Sequence, residues 1–160
     1  MDYLWTPWRY AYVTGAEKAS GCIFCDLPKQ GDDAKARIAY RGQSCYVVLN
    51  TYPYTGGHLM VVPYKQAPDF RGLTDEELTD LLKLTRRCQD ALTQVMKPDG
   101  FNIGINLGKA AGAGVRGHLH IHVVPRWAGD TNFMPVLAGT SVLPEALRDL
   151  AAKLRTALAR

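Results

Sequence analysis

The sequence of 160 residues predicts an α+β fold, in which an antiparallel sheet of about five strands packs against a central helix and a C-terminal helix. Short β-branched runs separated by turn residues indicate the strands, and two stretches with apolar residues at helical spacing indicate the helices. Strands that follow one another before a helix favour an antiparallel sheet. A chain of this length buries roughly two-thirds of the surface that it exposes when unfolded, so we expect a single domain over residues 1–160.

The predicted strands are short runs rich in Val, Ile and aromatic residues, and they lie at Cys45–Leu49, 59–62, 101–106 and 118–124, with a further strand beginning at Ile38. A segment containing Pro and Gly separates the first two of these runs, which we expect to pair as antiparallel neighbours. A loop rich in Gly and Ala joins the last two. The strands place the core at residues 37–127, between an irregular N-terminal arm (1–36) and a C-terminal extension (128–160).

Two helices are expected from apolar spacing and from end signals. Thr74 and Glu77 form a capping-box pattern, and the apolar period that follows them ends at Pro98. This stretch is the predicted central helix. Pro144 is expected to begin the last helix, in which leucines recur on one stripe and charged residues occupy the rest of the surface.

The composition excludes several classes of protein. With 47% hydrophobic and 21% charged residues, the chain is ordinary for a globular protein and has no window near the roughly 18 apolar residues of a membrane span. The N-terminus lacks the apolar stretch of a secretory signal. Four cysteines are too few and too unevenly spaced for a disulfide framework, so we expect thiols or metal ligands and a cytoplasmic location. We expect neither membrane nor nucleic-acid partners.

Three of the four histidines, His118, His120 and His122, occupy alternate positions in a predicted strand. Because strand side chains change face with a period of two residues, all three are expected on one face. Imidazoles charge near pH 6.5 and are costly to bury without partners, and a bound phosphate would supply such partners. The run therefore indicates a functional site rather than the solvated face of a sheet.

The run 118–124 reads His-φ-His-φ-His-φ-φ, where φ is apolar, and resembles the signature of the histidine-triad superfamily. The segment from Asn50 to His58 is similar to an upstream segment of that superfamily, so the resemblance covers about residues 22–127. The aromatic N-terminus and the Pro-Arg-Trp that follows the histidine run resemble the bacterial branch of diadenosine tetraphosphate phosphorylases and hydrolases. The resemblance implies a HIT-like fold and an enzyme acting on a small nucleotide substrate.

For the site, the resemblance assigns to His120 the in-line attack on the α-phosphorus of a dinucleoside polyphosphate. It implies a covalent nucleotidyl-histidine intermediate that water or phosphate resolves. It also assigns His122 to the phosphate oxygens and places His118 and His58 in the histidine cluster that orients the nucleophile. The chemistry is sensible independently, because neutral imidazole is a good nucleophile and two-step transfer makes each step easier. No cofactor is required for it.

Further residues are expected to hold the nucleotide. Asn50 stands where relatives place Asn or Asp against the ribose hydroxyls, and an amide can both donate and accept there. Asn106 begins a loop in which Gly112 and Gly114 would let backbone N–H groups approach the phosphates. These residues complete a predicted site for ribose and phosphate.

The chain departs from the wider superfamily at residues 114–117, which lack the usual Gln or Ser before the first histidine of the triad. The contact to the leaving group is therefore expected from backbone amides, from Asn106, or from the cations Lys109 and Arg116. Trp127 either stacks on a base or packs at the exit of a strand. The departure leaves the acceptor and the polyphosphate preference open.

Cys22 and Cys25 form a Cys-x-x-Cys pair, which is half of a zinc site. In some relatives the other half comes from His118 and from a histidine shortly after the Val-Val-Pro strand. Gln66 occupies that last position here, and Gln is a poor zinc ligand. We therefore favour a reduced thiol pair. The alternative is a structural zinc at Cys22, Cys25 and His118.

Three alternatives to the dinucleoside polyphosphate enzyme remain open at this point. One is an adenosine phosphoramidase of the same superfamily, and another is a nucleotide-binding module without catalysis. The third is a zinc metallohydrolase that uses the histidine run as ligands, although no Asp or Glu accompanies that run. The resemblance also implies a homodimer, in which central helices and sheets of two subunits meet.

Overall fold

A computed structural model of the chain describes residues 21–130 and 145–159. Its strands are β1 (Ile38–Arg41), β2 (Cys45–Leu49), β3 (Leu59–Pro63), β4 (Gly100–Ile105) and β5 (Ile121–Arg126). Its helices are α1 (Ile23–Asp26), α2 (Asp33–Ala36), α3 (Asp75–Met96) and α4 (Leu147–Leu158), with 3₁₀ turns at Leu27–Gln30 and Phe70–Gly72.

The five strands form one antiparallel sheet in the order β1-β2-β3-β5-β4. This arrangement confirms the predicted α+β class with an antiparallel sheet of five strands, a central helix and a C-terminal helix. β2 and β3 are the innermost pair, and every residue of both strands is buried. Strand β4 lies at the edge of the sheet, so one side of its backbone has no neighbouring strand among the described residues.

The sheet has a different role on each face. One face packs under α3 and α4 and forms the larger core, to which β2, β3 and β5 contribute Val47, Val61 and Ile121. The opposite face carries a smaller cluster that includes Phe24 of α1 and Val48 of β2. Because the long helices cover the first face, the second face is left for the short N-terminal helices and for the site described below.

Helix α3 begins as the sequence predicts. The Thr74 hydroxyl accepts from the Glu77 N–H, and the Glu77 carboxylate accepts from the Thr74 N–H, so that the capping box is complete. The helix ends at Met96 with Lys97 as a left-handed cap, immediately before Pro98. None of the helices among the described residues is both long and apolar enough to cross a membrane.

The last strand starts later than predicted, at Ile121 rather than at residue 118. The Leu119 N–H donates to the Ala67 carbonyl at 2.7 Å, so this segment bonds to the chain after β3 instead of extending the ladder. Side-chain alternation nevertheless continues, since Leu119 and Ile121 enter the larger core while His120 contacts Phe24 on the other face. The histidines therefore lie on one face, as predicted, although the strand is shorter than predicted.

Two other boundaries differ from the prediction. Residues 21–36 were expected to be irregular, but they contain α1, a 3₁₀ turn and α2, whose N-terminus is capped by the Asp32 side chain accepting from the Lys35 N–H. Helix α4 begins at Leu147, and Pro144 lies outside the described residues. Residues 1–20 of the predicted arm and residues 131–144 also lie outside them.

Candidate active site

A cavity opens on the face of the sheet that the long helices leave uncovered. Six of the predicted site residues line it, namely Asn50, Asn106, Gly112, Gly114, His120 and His122. Apolar side chains from α1 and the sheet, including Phe24, Val48 and Met60, line the rest of its floor and wall. The cavity therefore joins a polar end at the histidines to an apolar end beneath the N-terminal helices.

The strand register gives the cavity floor its length. Ile38 pairs with Val48, Val48 with Met60, and Met60 with His122, so these four residues form one row across β1, β2, β3 and β5. With adjacent strands about 4.8 Å apart, the row extends about 14 Å. His122 marks the polar end, and the start of β1 marks the other. The cleft is long enough to separate a phosphate from a base.

The hydrogen bonds of His120 define its tautomer. Its Nδ1 lies 2.9 Å from the backbone oxygen of His118, and because a carbonyl only accepts, Nδ1 must carry the hydrogen. Nε2 then has the lone pair. The side chain is 4% exposed, and burial lowers its pKa below the usual range, so the ring is neutral at pH 7. His120 thus has the protonation state of a nitrogen nucleophile.

A second chain of hydrogen bonds defines His122. The Tyr54 backbone N–H donates to His58 Nδ1 at 3.2 Å, which places the His58 hydrogen on Nε2. His58 Nε2 in turn donates to His122 Nδ1 at 2.9 Å, so the hydrogen of a neutral His122 is on Nε2. Asn50 Nδ2 also lies 3.3 Å from His58 Nδ1. His58 therefore makes His122 an N–H donor at the cavity.

These two tautomers are complementary. The ring centroids of His120 and His122 lie 4.8 Å apart in an edge-to-face arrangement, with a lone pair on one Nε2 and a hydrogen on the other. A nucleophile beside a hydrogen-bond donor suits attack on phosphorus, since the donor stabilises charge on the phosphate oxygens. Burial and the proximity of the His122 and His120 rings lower the pKa of His58 to about 3, so His58 donates as a neutral imidazole.

The buried His58 predicts that stability depends on pH. Unfolded histidine titrates near pH 6.5, whereas folded His58 stays neutral to about pH 3, so the unfolded chain binds more protons between these values. The free energy of unfolding should therefore fall as pH falls below 6.5, by up to about 1.4 kcal/mol per pH unit for this one group. Urea unfolding at pH 7.5 and pH 5.0 measures the slope, and His58→Gln should reduce it. An unchanged slope in His58→Gln would contradict this assignment.

His118 lies behind the cavity, and its side chain connects the site to the cysteine pair. Its Nε2 donates to the Pro63 carbonyl at 2.8 Å, leaving the lone pair on Nδ1. Cys22 Sγ and Cys25 Sγ lie 3.2 and 3.5 Å from that Nδ1. The three ligand atoms lie within 4.8 Å of one another, and Gln66 Oε1 is 3.6 Å from Cys25 Sγ. Three of the four positions expected for zinc are thus close together, with a carboxamide beside them.

Three predicted nucleotide-binding residues do not line the cavity: Lys109, Arg116 and Trp127. Lys109 contributes to the loop through its backbone. Its carbonyl accepts from the Gly112 N–H at 3.0 Å and closes a turn. The Trp127 backbone N–H donates to Asp130 Oδ2 at 3.2 Å, which holds the exit of β5. The side chain of the neighbouring Arg126 forms an ion pair with Asp130.

Several lining residues were not predicted from the sequence. Ile23 and Phe24 stand between the two cysteines and line the cavity wall, a role that the metal-ligand spacing of the cysteines does not indicate. Tyr54 follows Asn50 closely and contacts the His58 ring at a centroid distance of 4.7 Å. Arg37, at the end of α2, had no signal, because a helix of four residues shows no apolar period.

Comparisons with known proteins find similar sequences and similar folds. The HIT domain family matches residues 32–129. A Mycobacterium tuberculosis protein named AP-4-A phosphorylase is 41% identical over 168 aligned positions, covering 100% of the chain and 86% of that relative. The Schizosaccharomyces pombe bis(5'-nucleosyl)-tetraphosphatase [asymmetrical] is 35% identical, covering 65% of the chain and 59% of its own length. A zinc-bound histidine triad family protein from Mycobacterium smegmatis superimposes with a TM-score of 0.69 at 28% identity, covering 91% of the chain and 96% of that structure.

Proposed function

The chain belongs to the HIT domain family, and we propose on that premise that it cleaves dinucleoside polyphosphates such as diadenosine tetraphosphate at the α-phosphorus. The observation that carries the proposal is the pair of tautomers at the cavity, with a lone pair on His120 Nε2 and a hydrogen on His122 Nε2. The names of relatives, AP-4-A phosphorylase and bis(5'-nucleosyl)-tetraphosphatase, support the substrate class.

In the first step, His120 Nε2 attacks the α-phosphorus and forms an N–P bond, while the bond from that phosphorus to the bridging oxygen breaks. For diadenosine tetraphosphate the leaving group is ATP, which departs as an anion and needs no proton. The His118 carbonyl accepts from His120 Nδ1–H throughout, so it stabilises the positive charge that the ring gains. The His122 N–H stabilises the phosphate oxygens.

In the second step, an acceptor oxygen attacks phosphorus from the side opposite His120, in line with the N–P bond. That bond breaks and returns His120 to its neutral form, and a water acceptor releases its proton to solvent. Phosphate as acceptor yields ADP, and water yields AMP. We propose phosphate as the preferred acceptor, because the relative that aligns with the whole chain is named a phosphorylase. The glycine loop supports an additional anion here, since Gly112 and Gly114 line the same cavity as His120 and His122.

The nucleoside is proposed to occupy the apolar end of the cleft. Phe24, Val48 and Met60 supply flat and aliphatic surface for a base, while Asn50 lines the same cavity beside His58. Asn50 uses its amide nitrogen toward His58 and its oxygen toward the Tyr52 N–H. Ribose hydroxyls would therefore meet an amide whose orientation is already fixed.

Product analysis tests the proposal. The protein is incubated with diadenosine tetraphosphate, with and without inorganic phosphate, and the nucleotides are separated. ATP with ADP in phosphate supports the phosphorylase, and ATP with AMP under both conditions supports hydrolysis through the same intermediate. Turnover of adenosine phosphoramidate instead of the dinucleotide would favour the phosphoramidase. No turnover of any nucleotide, with binding retained, would leave a binding module and overturn the proposal.

We further propose that Cys22, Cys25 and His118 hold a structural zinc. The His118 Nδ1 lone pair points at both thiols, and its Nε2–H is held by the Pro63 carbonyl, as outer-shell partners hold zinc ligands. The zinc-bound relative of similar fold supports a zinc site. The proposal differs here from the sequence-based expectation of a reduced thiol pair. Zinc would fix α1 to the segment that carries His118 and would take no part in the chemistry.

Metal analysis of the purified protein is expected to find one zinc per chain. Cys22→Ser with Cys25→Ser should lose the metal and lower the Tm, whereas Cys88→Ala, in the core away from the site, should keep it. Gln66→His, next to Cys25, should slow zinc removal by a chelator because it supplies a fourth nitrogen ligand. Equal zinc content in the double serine variant and in the unchanged chain would rule the site out.

A homodimer is the third part of the proposal. Strand β4 is an edge strand with Ile103 47% exposed, and α3 presents Leu82 at 66% exposure. An exposed edge strand offers unpaired backbone groups to a second chain, and exposed apolar side chains favour such a contact. Ile103→Lys should shift the molecule from dimer to monomer in sedimentation equilibrium, while Phe70→Lys, at another exposed apolar position, should not. A monomer before any substitution would contradict the dimer.

The cytoplasmic location also stays a prediction.

A further inference from the structure

Tyr52 and Tyr54 are exposed aromatic residues that line the cavity, and the reaction steps above use neither ring. They are 54% and 44% exposed, and they flank Pro53 in the loop between β2 and β3. A single exposed aromatic residue is common on protein surfaces and needs no explanation. Two of them beside a cavity indicate contact with a ligand, because a phenol ring suits a surface that is apolar on one side and wet on the other.

Hydrogen bonds tie the loop that carries the two tyrosines to the site. The Tyr52 N–H donates to Asn50 Oδ1 at 2.9 Å, and the Tyr54 N–H donates to His58 Nδ1 at 3.2 Å. Pro53, between the tyrosines, restricts the backbone further. The loop is therefore positioned before a ligand binds, and binding loses little free energy in ordering it.

Ring contacts place Tyr54 beside the hydrogen-bond donor of the site. Its ring centroid lies 4.7 Å from that of His58 and 6.1 Å from that of His122. The ring of Phe24, in contrast, lies 4.8 Å from that of His120. The nucleophile thus contacts one aromatic side chain of the cavity, and the donor contacts another.

A dinucleoside polyphosphate has two bases, of which only one can occupy the surface formed by Phe24, Val48 and Met60. In an in-line transfer, the leaving group departs from the side of phosphorus opposite the attacking nitrogen of His120. The second base therefore needs a surface away from the side chains that pack on the nucleophile. The tyrosine loop offers such a surface next to the histidine that is proposed to bind the phosphate oxygens.

We propose that Tyr52 and Tyr54 form a second nucleoside subsite, on which the base of the leaving nucleotide stacks. The assignment rests on the proposed function, because it takes His120 as the nucleophile. The subsite would favour dinucleoside polyphosphates over mononucleotides with the same phosphate chain. Every base has a π-face, so this subsite should distinguish only weakly between bases.

Two substrates isolate the contribution of the second nucleoside. Diadenosine tetraphosphate and adenosine tetraphosphate share one adenosine, the phosphate chain and the bond that breaks. For the unchanged protein we expect kcat/KM to be about tenfold higher for the dinucleotide, which corresponds to about 1.4 kcal/mol and is typical of one base stacked on an aromatic side chain. The extra terminal charge of adenosine tetraphosphate is the same in every variant, so a change in the ratio of the two kcat/KM values measures the rings.

Four variants of the full chain test the assignment: Tyr52→Ala, Tyr54→Ala, Tyr54→Phe and Phe70→Ala. Each tyrosine-to-alanine variant is expected to reduce the preference for the dinucleotide to about threefold or less, mainly by raising its KM. Tyr54→Phe keeps the ring and should keep the preference. Phe70 is 43% exposed and does not line the cavity, so Phe70→Ala is the matched control and should keep the preference as well.

The ratio separates stacking from a structural effect through His58, which would lower activity toward both substrates equally. A preference that persists in both alanine variants, even with lower activity overall, would overturn the subsite while the proposed function stands. Equal kcat/KM values for the two substrates in the unchanged protein would have the same meaning. Absence of turnover of either substrate by the unchanged protein would overturn both proposals.

Discussion

Replacement of His120 with Asn is expected to lower turnover of diadenosine tetraphosphate by at least about 10³-fold. His120 Nε2 is the atom that is proposed to form a bond with phosphorus, and the Asn amide nitrogen has no comparable lone pair. The remaining donors, His122 and the glycine loop, would still bind phosphate oxygens. Residual activity should therefore reflect binding alone, with kcat reduced and KM changed little. Steady-state assays in saturating phosphate measure both constants.

The intermediate provides a second measurement on the same variant. Rapid acid-free quenching of the unchanged protein with diadenosine tetraphosphate, in the absence of phosphate, should show a mass increase of one AMP residue on the chain. His120→Asn should show no increase, whereas His122→Asn should still form the adduct slowly. Unaltered thermal unfolding and nucleotide affinity in His120→Asn would exclude a folding defect. Activity of His120→Asn within tenfold of the unchanged protein would refute the covalent route.

The sequence predicted the functional strand well because its pattern is independent of exact strand ends. Although β5 begins at Ile121, alternation places Leu119, Ile121 and Val123 in the larger core. The opposite side then faces Phe24 and the cavity. A period of two residues determines which face each side chain occupies even where no ladder forms.

The hydrogen-bond directions could not be predicted in the same way. The tautomers depend on the Pro63 carbonyl, the His118 carbonyl and the Tyr54 N–H, which are backbone groups without a side-chain signal. One of these groups, the Pro63 carbonyl, lies 55 residues from the histidine that it orients. A pattern in the sequence locates the imidazoles, but the fold decides which nitrogen of each ring carries the hydrogen.

The cavity wall escaped prediction for a related reason. α1 and α2 have four residues each, too few to show a helical period, so Phe24 and Arg37 gave no indication that they share one cavity. The cysteine pair was recognised, but its distance from His118 depends on how α1 packs. Predictions from spacing succeeded for long elements and failed where tertiary packing orders a short one.

Gly57→Ala is expected to lower the free energy of unfolding by about 3 kcal/mol, the largest stability effect that we predict for one methyl group. Gly57 has a φ of +87°, where any other residue is strained. A Cβ at this position would also lie 2.6 Å from Met96 Sδ, 3.0 Å from Pro125 Cγ and 3.2 Å from Leu92 Cδ2. Backbone strain and overpacking therefore add together immediately before His58.

Two glycines separate these contributions. Gly31 has a φ of +70° with nothing within 4 Å of an added Cβ, so Gly31→Ala measures strain alone and should cost about 1 kcal/mol. Gly100 has neither positive φ nor a close neighbour, so Gly100→Ala should change stability by less than about 0.5 kcal/mol. Urea unfolding of the three variants measures how much each substitution lowers the free energy of unfolding. Equal losses for Gly57→Ala and Gly31→Ala would contradict the overpacking, because they would show that the end of α3 moves away from the methyl group.

The effect of Gly57→Ala should extend to the site. His58 follows directly, and its Nε2 must stay 2.9 Å from His122 Nδ1 to keep the His122 hydrogen on Nε2. Relief of the contact with Met96 would move the backbone toward the cavity and lengthen that bond. We therefore expect kcat to fall in Gly57→Ala at temperatures where the variant remains folded, with no such fall in Gly31→Ala. Because Gly57 does not line the cavity, a loss of kcat in this variant would show that helix packing holds the histidine relay in place.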